Sequence, residues 1–162
     1  MTIRQAELGD AAAIAEIWNG MIRDSLATFT SEEKTEAGIA RLIADRGPDF
    51  WVAEDAGAVC GFVTYGPFRP GPGYAATIEH TVILAPDQMG RGIGTTLMQT
   101  AMAQARAEGY HVMIAGISSA NPGAVAFHGA LGFTQVGHLP QVGRKAGQWL
   151  DLIFMQKTLS PH

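Results

Sequence analysis

The chain predicts a single mixed α/β domain, and three observations carry that prediction. Short runs rich in β-branched residues alternate with stripes of apolar residues at helical spacing. Gly, Pro and Asp turns part these runs, with no linker, internal repeat or low-complexity tract between them. At 162 residues, 47% of them hydrophobic, the chain suits one domain with a full core, expected to span residues 1–162.

Taken in order, Thr2 to Ala6 reads as a short opening strand. Asp10 then caps a helix running from Ala11 to about Met21, with Ile14, Ile17 and Trp18 on one face. Ser31, followed by Glu33 and Lys34, begins a second helix striped by Ile39, Leu42 and Ile43 and ending near Gly47-Pro48. FWVAE and VCGFVTY flank the turn Asp55-Ala56-Gly57 as a hairpin. The Pro/Gly density of FRPGPGY, residues 68–74, forbids regular structure. TIEHTVIL (77–84) is a strand, and the helix after it carries Ile93, Leu97, Ala101 and Ala105 at steps of four. A strand HVMIAGI (111–117), a helix NPGAVAFHGAL (121–131) and two closing strands around Thr134–Val136 and Trp149–Gln156 complete the chain.

Composition removes several function classes. The net charge is -4 with no Lys/Arg cluster, which disfavours nucleic acid and anionic membranes as partners. No apolar run approaches the roughly 18 residues of a membrane helix, and MTIRQAELGD lacks the apolar core of a secretion signal. Cys60 is the only cysteine and sits in an apolar run, so a buried inert thiol in a reducing cytoplasm is expected. The histidines at 80, 111, 128, 138 and 162 lack metal-ligand spacing, and no G-x-S-x-G elbow is present, so neither a metal site nor a serine triad is expected.

Gly90, Gly92 and Gly94 alternate between an apolar strand and a helical stripe. A triphosphate-binding loop needs a lysine after its last glycine, and Thr95-Thr96 stand there instead. A dinucleotide fingerprint needs G-x-G-x-x-G after the first strand, with an acidic residue ending the next; spacing, position and acid all fail. A pyrophosphate on the free N–H groups of a helix N-terminus remains, with Arg91 beside it for a charge-assisted contact. The competing reading is a loop that merely turns a strand into a helix.

Downstream, NPGAVAFHGALGF runs from Asn121 to Phe133. Together with the glycine loop it resembles the GCN5-related N-acetyltransferase superfamily, whose members move an acetyl group from acetyl-CoA to an amine. The relevant patterns are Q/R-x-x-G-x-G/A and N-x-x-[AS]-x-x-x-[YH]-x-x-x-G-[FY], and the likeness covers Ile3 to Leu159. Within the superfamily, TIEHTVIL, HVMIAGISSAN, AFHGALGF and PQVGRKAGQWLDLIFMQ (140–156) are most similar to the phosphinothricin and methionine sulfone or sulfoximine acetyltransferases. The resemblance implies a mostly antiparallel twisted sheet flanked by about four helices, acetyl-CoA as cosubstrate, no metal, a small amino-acid-like acceptor and a homodimer. Two departures stand out: Met89 replaces the loop's Gln or Arg, and Gly73-Tyr74-Ala75-Ala76 lacks an arginine that several relatives carry there, although Arg69 lies in the same loop.

The resemblance also assigns roles. Glu79 becomes the candidate base, on one strand face with Thr77 and Thr81, against the alternative of a solvated strand glutamate. His128 stands where a tyrosine often protonates the departing thiolate; donating that proton, ordering a water or simple packing are all open to it. His80 reads as a structural histidine. Val82, Ile83 and Leu84 offer backbone to the pantetheine arm, while Met89, Gly90, Arg91, Gly92, Ile93, Gly94 and Thr95 surround the pyrophosphate. Asn121 is a ligand contact or an N-cap. Gly73 and Tyr74 contact acceptor, Thr28 and Phe29 close over it, and Trp149 and Asp151 are structural. A different acceptor (polyamine, antibiotic or protein N-terminus) and a non-catalytic CoA-binding sensor are the competing functions.

Overall fold

The computed structural model describes residues 1–160. In chain order its elements are β1 (Thr2–Gln5), α1 (Ala11–Asp24), α2 (Glu36–Arg46), β2 (Phe50–Asp55), β3 (Ala58–Pro67), β4 (Thr77–Leu84), α3 (Ile93–Ala107), β5 (Val112–Ser118), α4 (Pro122–Ala130), β6 (Thr134–Lys145) and β7 (Gln148–Thr158). The strands form one seven-stranded sheet in the order β1-β2-β3-β4-β5-β7-β6. Only β4 and β5 run parallel, joined by the crossover helix α3. The expected mixed α/β architecture with a mostly antiparallel sheet and four helices is the one observed.

Two apolar layers sandwich the sheet. Ile14, Ile39, Ile43, Phe50, Val52, Phe62 and Ile83 close the α1/α2 face. On the other face the predicted stripe of Ile93, Leu97, Ala101 and Ala105 is buried, joined by Met98 and Met102 from the same helix. Cys60 is buried there too, its thiol near the Ala53 carbonyl at 3.4 Å and pushed up in pKa by burial.

Four details differ from expectation, each for a local reason. Asp10 sits at the α1 N-cap without capping it: its carboxylate accepts from the Arg4 guanidinium at 2.8 and 3.0 Å and from the Glu7 amide at 2.8 Å. Helix α1 continues to Asp24, past the expected end at Met21. Helix α2 begins at Glu36 rather than Ser31, capped by Thr35, whose hydroxyl accepts from the Gly38 amide at 3.0 Å. The buried Asn19 amide explains the delay, because it binds both the N–H and C=O of Lys34 and so removes those groups from any helix. Finally, β6 runs on to Lys145, its pairing with β7 surviving two interruptions after Gln135 and Leu139. Asp151 spans the second, accepting from the Gln141 amide at 2.8 Å and facing His138 Nε2 at 2.7 Å. That is a structural role, as expected for it; Trp149 likewise carries the Arg144 guanidinium 4.3 Å above its ring.

Candidate active site

Strands β4 and β5 start as neighbours and then part. Their register pairs Thr77, Ile78 and Glu79 with Val112, Met113 and Ile114, and pairing stops there. The other edge of β4 stays bonded to β3 along its whole length. From His80 to Leu84, then, one row of backbone N–H and C=O groups faces a gap instead of a strand. A cleft of about 290 Å³ occupies the gap, lined by His80 to Ile83 on one side, Ala115 to Ser118 on the other, and Thr28, Phe29, Asn121, His128 and Leu152 around the rim.

β4 alternates without a bulge, as the unbroken register with β3 requires. Ile78, His80, Val82 and Leu84 therefore turn toward α3 and α4, while Thr77, Glu79, Thr81 and Ile83 share the opposite face. Val82, Ile83 and Leu84 spend their side chains on the two core layers, leaving backbone alone for an extended ligand arm.

Glu79 lies where the strands separate. Its Oε2 is 2.9 Å from the point where a Cβ on Gly116 would stand, so the carboxylate rests on bare β5 backbone. Among the described residues no hydrogen bond or ion pair engages it, and burial raises its pKa above the ordinary glutamate value. Gly116 was not anticipated as a functional residue, although a glycine inside a strand is a recognised sign of close approach.

His80 and His128 meet inside the protein, Nε2 to Nε2 at 2.9 Å, while His128 Nδ1 lies 2.7 Å from the Ala124 carbonyl. That carbonyl can only accept, which puts a proton on His128 Nδ1 and makes its Nε2 the acceptor of His80 Nε2–H. His80 Nδ1 is left buried without a hydrogen bond. Burial, reinforced by the neighbouring His128, pushes His80 down to about 3. Burial also lowers His128, opposed by its bond to Ala124. The pair is neutral at physiological pH, and both nitrogens of His128 are engaged within the protein. This contact joins residues 48 positions apart and had no signal in the sequence.

At the far end of the gap, the three glycines divide their labour. Gly90 and Gly92 have φ of +79° and +78°, with nothing within 4 Å of an added Cβ. Gly92 is the left-handed N-cap of α3, so the first-turn amides of Ile93, Gly94 and Thr95 have no carbonyl partner within the helix. Gly94 serves packing: the Phe127 ring of α4 comes within 3.3 Å of where its Cβ would be. Arg91 is half exposed and reaches Asp55 at 3.3 Å and Gln88. Met89 is 66% exposed and contributes no polar group. An open, positively polarised helix end in line with an unpaired strand edge fits a pyrophosphate followed by an extended amide-bearing arm.

Asn121 caps α4, its Oδ1 accepting from the Ala124 amide at 3.2 Å, and it also borders the cleft. Both roles expected for it are thus compatible in one geometry. Thr28 and Phe29 line the cleft as well. Gly73 and Tyr74 do not: they form an exposed turn beside a separate depression, with Arg69 5.8 Å from the Tyr74 ring. Tyr74 meets Phe68 at 6.3 Å and Phe68 meets Phe154 at 5.9 Å; Phe154 is not part of the cleft lining but comes within 3.8 Å of where a Cβ on the cleft residue Gly116 would stand. Among the described residues no three His, Cys, Asp or Glu side chains gather as metal ligands; His162 lies outside them.

Comparison with known proteins agrees with this geometry. The model of the acetyltransferase (GNAT) family matches residues 15–133. The L-methionine sulfoximine/L-methionine sulfone acetyltransferase of Pseudomonas aeruginosa is 40% identical over 99% of this chain and 95% of its own. A Salmonella typhimurium protein, solved with its cofactor acetyl-CoA, superposes with a TM-score of 0.95 at 38% identity, covering 100% of this chain and 95% of that one. The phosphinothricin acetyltransferase of Sinorhizobium meliloti, in complex with acetyl-CoA, gives 0.93 at 34% identity over 98% and 88% of the two chains. The chain belongs to the acetyltransferase (GNAT) family.

Proposed function

We propose that this protein is an acetyl-CoA-dependent N-acetyltransferase acting on the amino group of a small amino-acid-like acceptor of the methionine sulfone, methionine sulfoximine or phosphinothricin type. The observation that carries this is Glu79: a half-buried carboxylate without a partner among the described residues, seated on Gly116 where β4 and β5 separate. Relatives acting on such acceptors cover nearly the whole chain.

When bound, acetyl-CoA supplies the thioester carbonyl that the amine attacks. The exposed edge of Val82, Ile83 and Leu84 holds its amide arm, and the α3 amides from Ile93 to Thr95, with Gly90, Gly92 and Arg91, hold its pyrophosphate. Arg91 exchanges Asp55 for phosphate as it does so. Met89 adds nothing polar, so backbone donors carry most of the load.

An alkylammonium acceptor, with a pKa near 10 for lysine-like amines, must lose a proton before it attacks. Glu79 takes that proton directly or through one water, and its raised pKa makes it a better base than an ordinary glutamate. The amine nitrogen then bonds to the acetyl carbon as the carbon–sulfur bond breaks, and the nitrogen's surplus proton passes through solvent to the departing thiolate, giving the amide and the CoA thiol. His128 serves as a wall of the cleft, fixed by His80 and Ala124; protonating the departing thiolate would require it to give up one of these partners. Asn121 offers its side-chain NH2 to ligand, and Thr28 and Phe29 cover the acceptor. Tyr74 stands outside the cleft and bears on it only at a distance, through Phe68 and Phe154, and Gly73 shapes the turn that carries Tyr74.

We also propose a homodimer in the cytoplasm. In support, Val136, Leu139, Val142 and Trp149 are exposed on the β6–β7 end of the sheet, where β6 leaves an open edge. Cys60 is a buried free thiol, and no described helix is long and apolar enough to cross a membrane.

The test is CoA release with acetyl-CoA and a panel of methionine sulfone, methionine sulfoximine, phosphinothricin, spermidine and a peptide, with Glu79→Gln in parallel. Turnover of the amino-acid analogues is expected, with kcat/KM reduced about 10²–10⁴-fold in the variant. Turnover confined to spermidine or peptide would replace the acceptor; tight acetyl-CoA binding without turnover would replace the enzyme with a sensor.

A further inference from the structure

The roof of the cleft is an irregular strap, residues 25–30, between α1 and the extended segment before α2. No strand or helix pairing holds it. Short-range bonds link Ser25 to Met21 and Ala27, and Thr28 to Thr30, and the strap's longer tethers come from residues far along the chain. Ser118 Oγ on β5 donates to the Leu26 carbonyl at 2.7 Å. The Lys145 ammonium, at the tip of the β6–β7 hairpin, lies 2.8 Å from the Ile22 carbonyl, 2.9 Å from that of Ser25, 3.0 Å from that of Thr28 and 2.9 Å from Thr28 Oγ1. The Phe29 ring lies flat against Gly143, so close that a Cβ there would stand 2.7 Å from it.

We propose that Gly143 and Lys145 set acceptor specificity by fixing the height of the Thr28–Phe29 roof, an inference that rests on the acetyl-transfer reading above. Lys145 is a positioning residue. Its cation sits on the carbonyl end of α1, where the helix dipole favours positive charge, and it gathers three carbonyls for which the described residues offer no other donor. Removing the ammonium leaves those carbonyls to seek water, and the strap lifts. Gly143 acts from the opposite side. Phe29 has Gly143 behind it and the cleft before it, so a side chain at 143 drives the ring into the acceptor space. The two changes have opposite signs: Lys145→Met raises the roof and Gly143→Ala lowers it.

The experiment measures kcat/KM for α-amino acids graded in side-chain bulk, methionine sulfone at the slim end and tryptophan at the broad end, with acetyl-CoA KM and hydrogen exchange over residues 22–30. Expected for Lys145→Met is faster exchange in the strap, an acceptor KM raised about tenfold and a profile shifted toward bulkier acceptors by roughly fivefold or more. Gly143→Ala shifts the profile the other way, and acetyl-CoA KM stays within about twofold in both. Unchanged exchange in Lys145→Met overturns the latch whatever the acceptor. Faster exchange with an unchanged profile in both variants overturns the specificity role. If the wild type acetylates no α-amino acid, the acceptor reading is what fails, and the profile is taken on primary amines graded in the same way.

Discussion

Glu79 depends on its neighbour as much as on its own chemistry. Its carboxylate occupies the volume that any side chain at 116 would claim, 2.9 Å from that missing Cβ. The end of a glutamate is flexible, so Gly116→Ala is expected to leave the melting temperature nearly unchanged while moving the base off its line. A misplacement of about 1 Å in a well-oriented reaction costs up to about 10²-fold, so kcat falls by at least tenfold where folding does not. Paired thermal melts and steady-state rates check this, and an unaffected kcat would mean that the carboxylate does not work from this seat. In the proposed mechanism the ionised form of Glu79 is the base, and burial raises its pKa; kcat/KM is therefore expected to climb with pH through a midpoint above the ordinary glutamate value. That limb is expected to vanish in Glu79→Gln. No imidazole limb should replace it, since burial lowers both His80 and His128.

At the scale of elements, legibility followed locality. The α3 stripe could be read directly because a helix face repeats every three to four residues, and all four predicted positions are buried. The start of α2 was misread because the deciding contact, Asn19 on the Lys34 backbone, spans 15 residues. The length of β6 was hidden because pairing resumes beyond Pro140, helped by an aspartate on the next strand. Glu79 is singled out as a candidate by its motif, whereas Gly116, the His80–His128 contact and Lys145 needed the strands in place. The glycine loop was half legible: its spacing announced an open helix end but not that Gly94 belongs to Phe127. A prediction separates these roles. Gly92→Ala puts a side chain at a φ of +78°, a strain of about 1–2 kcal/mol at the N-cap of α3. Lower thermal stability is expected together with weaker acetyl-CoA binding by calorimetry. Gly94→Ala presses on Phe127 instead and should disturb α4. Equal effects of both variants on stability and affinity would remove the distinction.

Across the whole molecule, a second group of acids ties the sheet to α3 well away from the cleft. The Tyr65 hydroxyl on β3 lies 3.1 Å from Asp49, which precedes β2, and also contacts Glu108, just past the end of α3. One hydroxyl has one proton to give, so two ionised carboxylates cannot both be satisfied by it. Burial and the adjoining Glu108 push Asp49 up to about 7, with Tyr65 and Arg46 opposing. An unfolded aspartate titrates near 4, so the folded state holds a proton that the unfolded chain releases across this range. Stability from this group is therefore complete below about pH 4 and is lost as pH rises through about 7. Asp49→Asn supplies a neutral partner at every pH. The wild type should show a fall in melting temperature between about pH 5 and pH 8 that the variant lacks, the two curves converging toward the acidic end. Parallel curves across that interval would mean that Asp49 is ionised in the folded protein and that Tyr65 serves Glu108 alone.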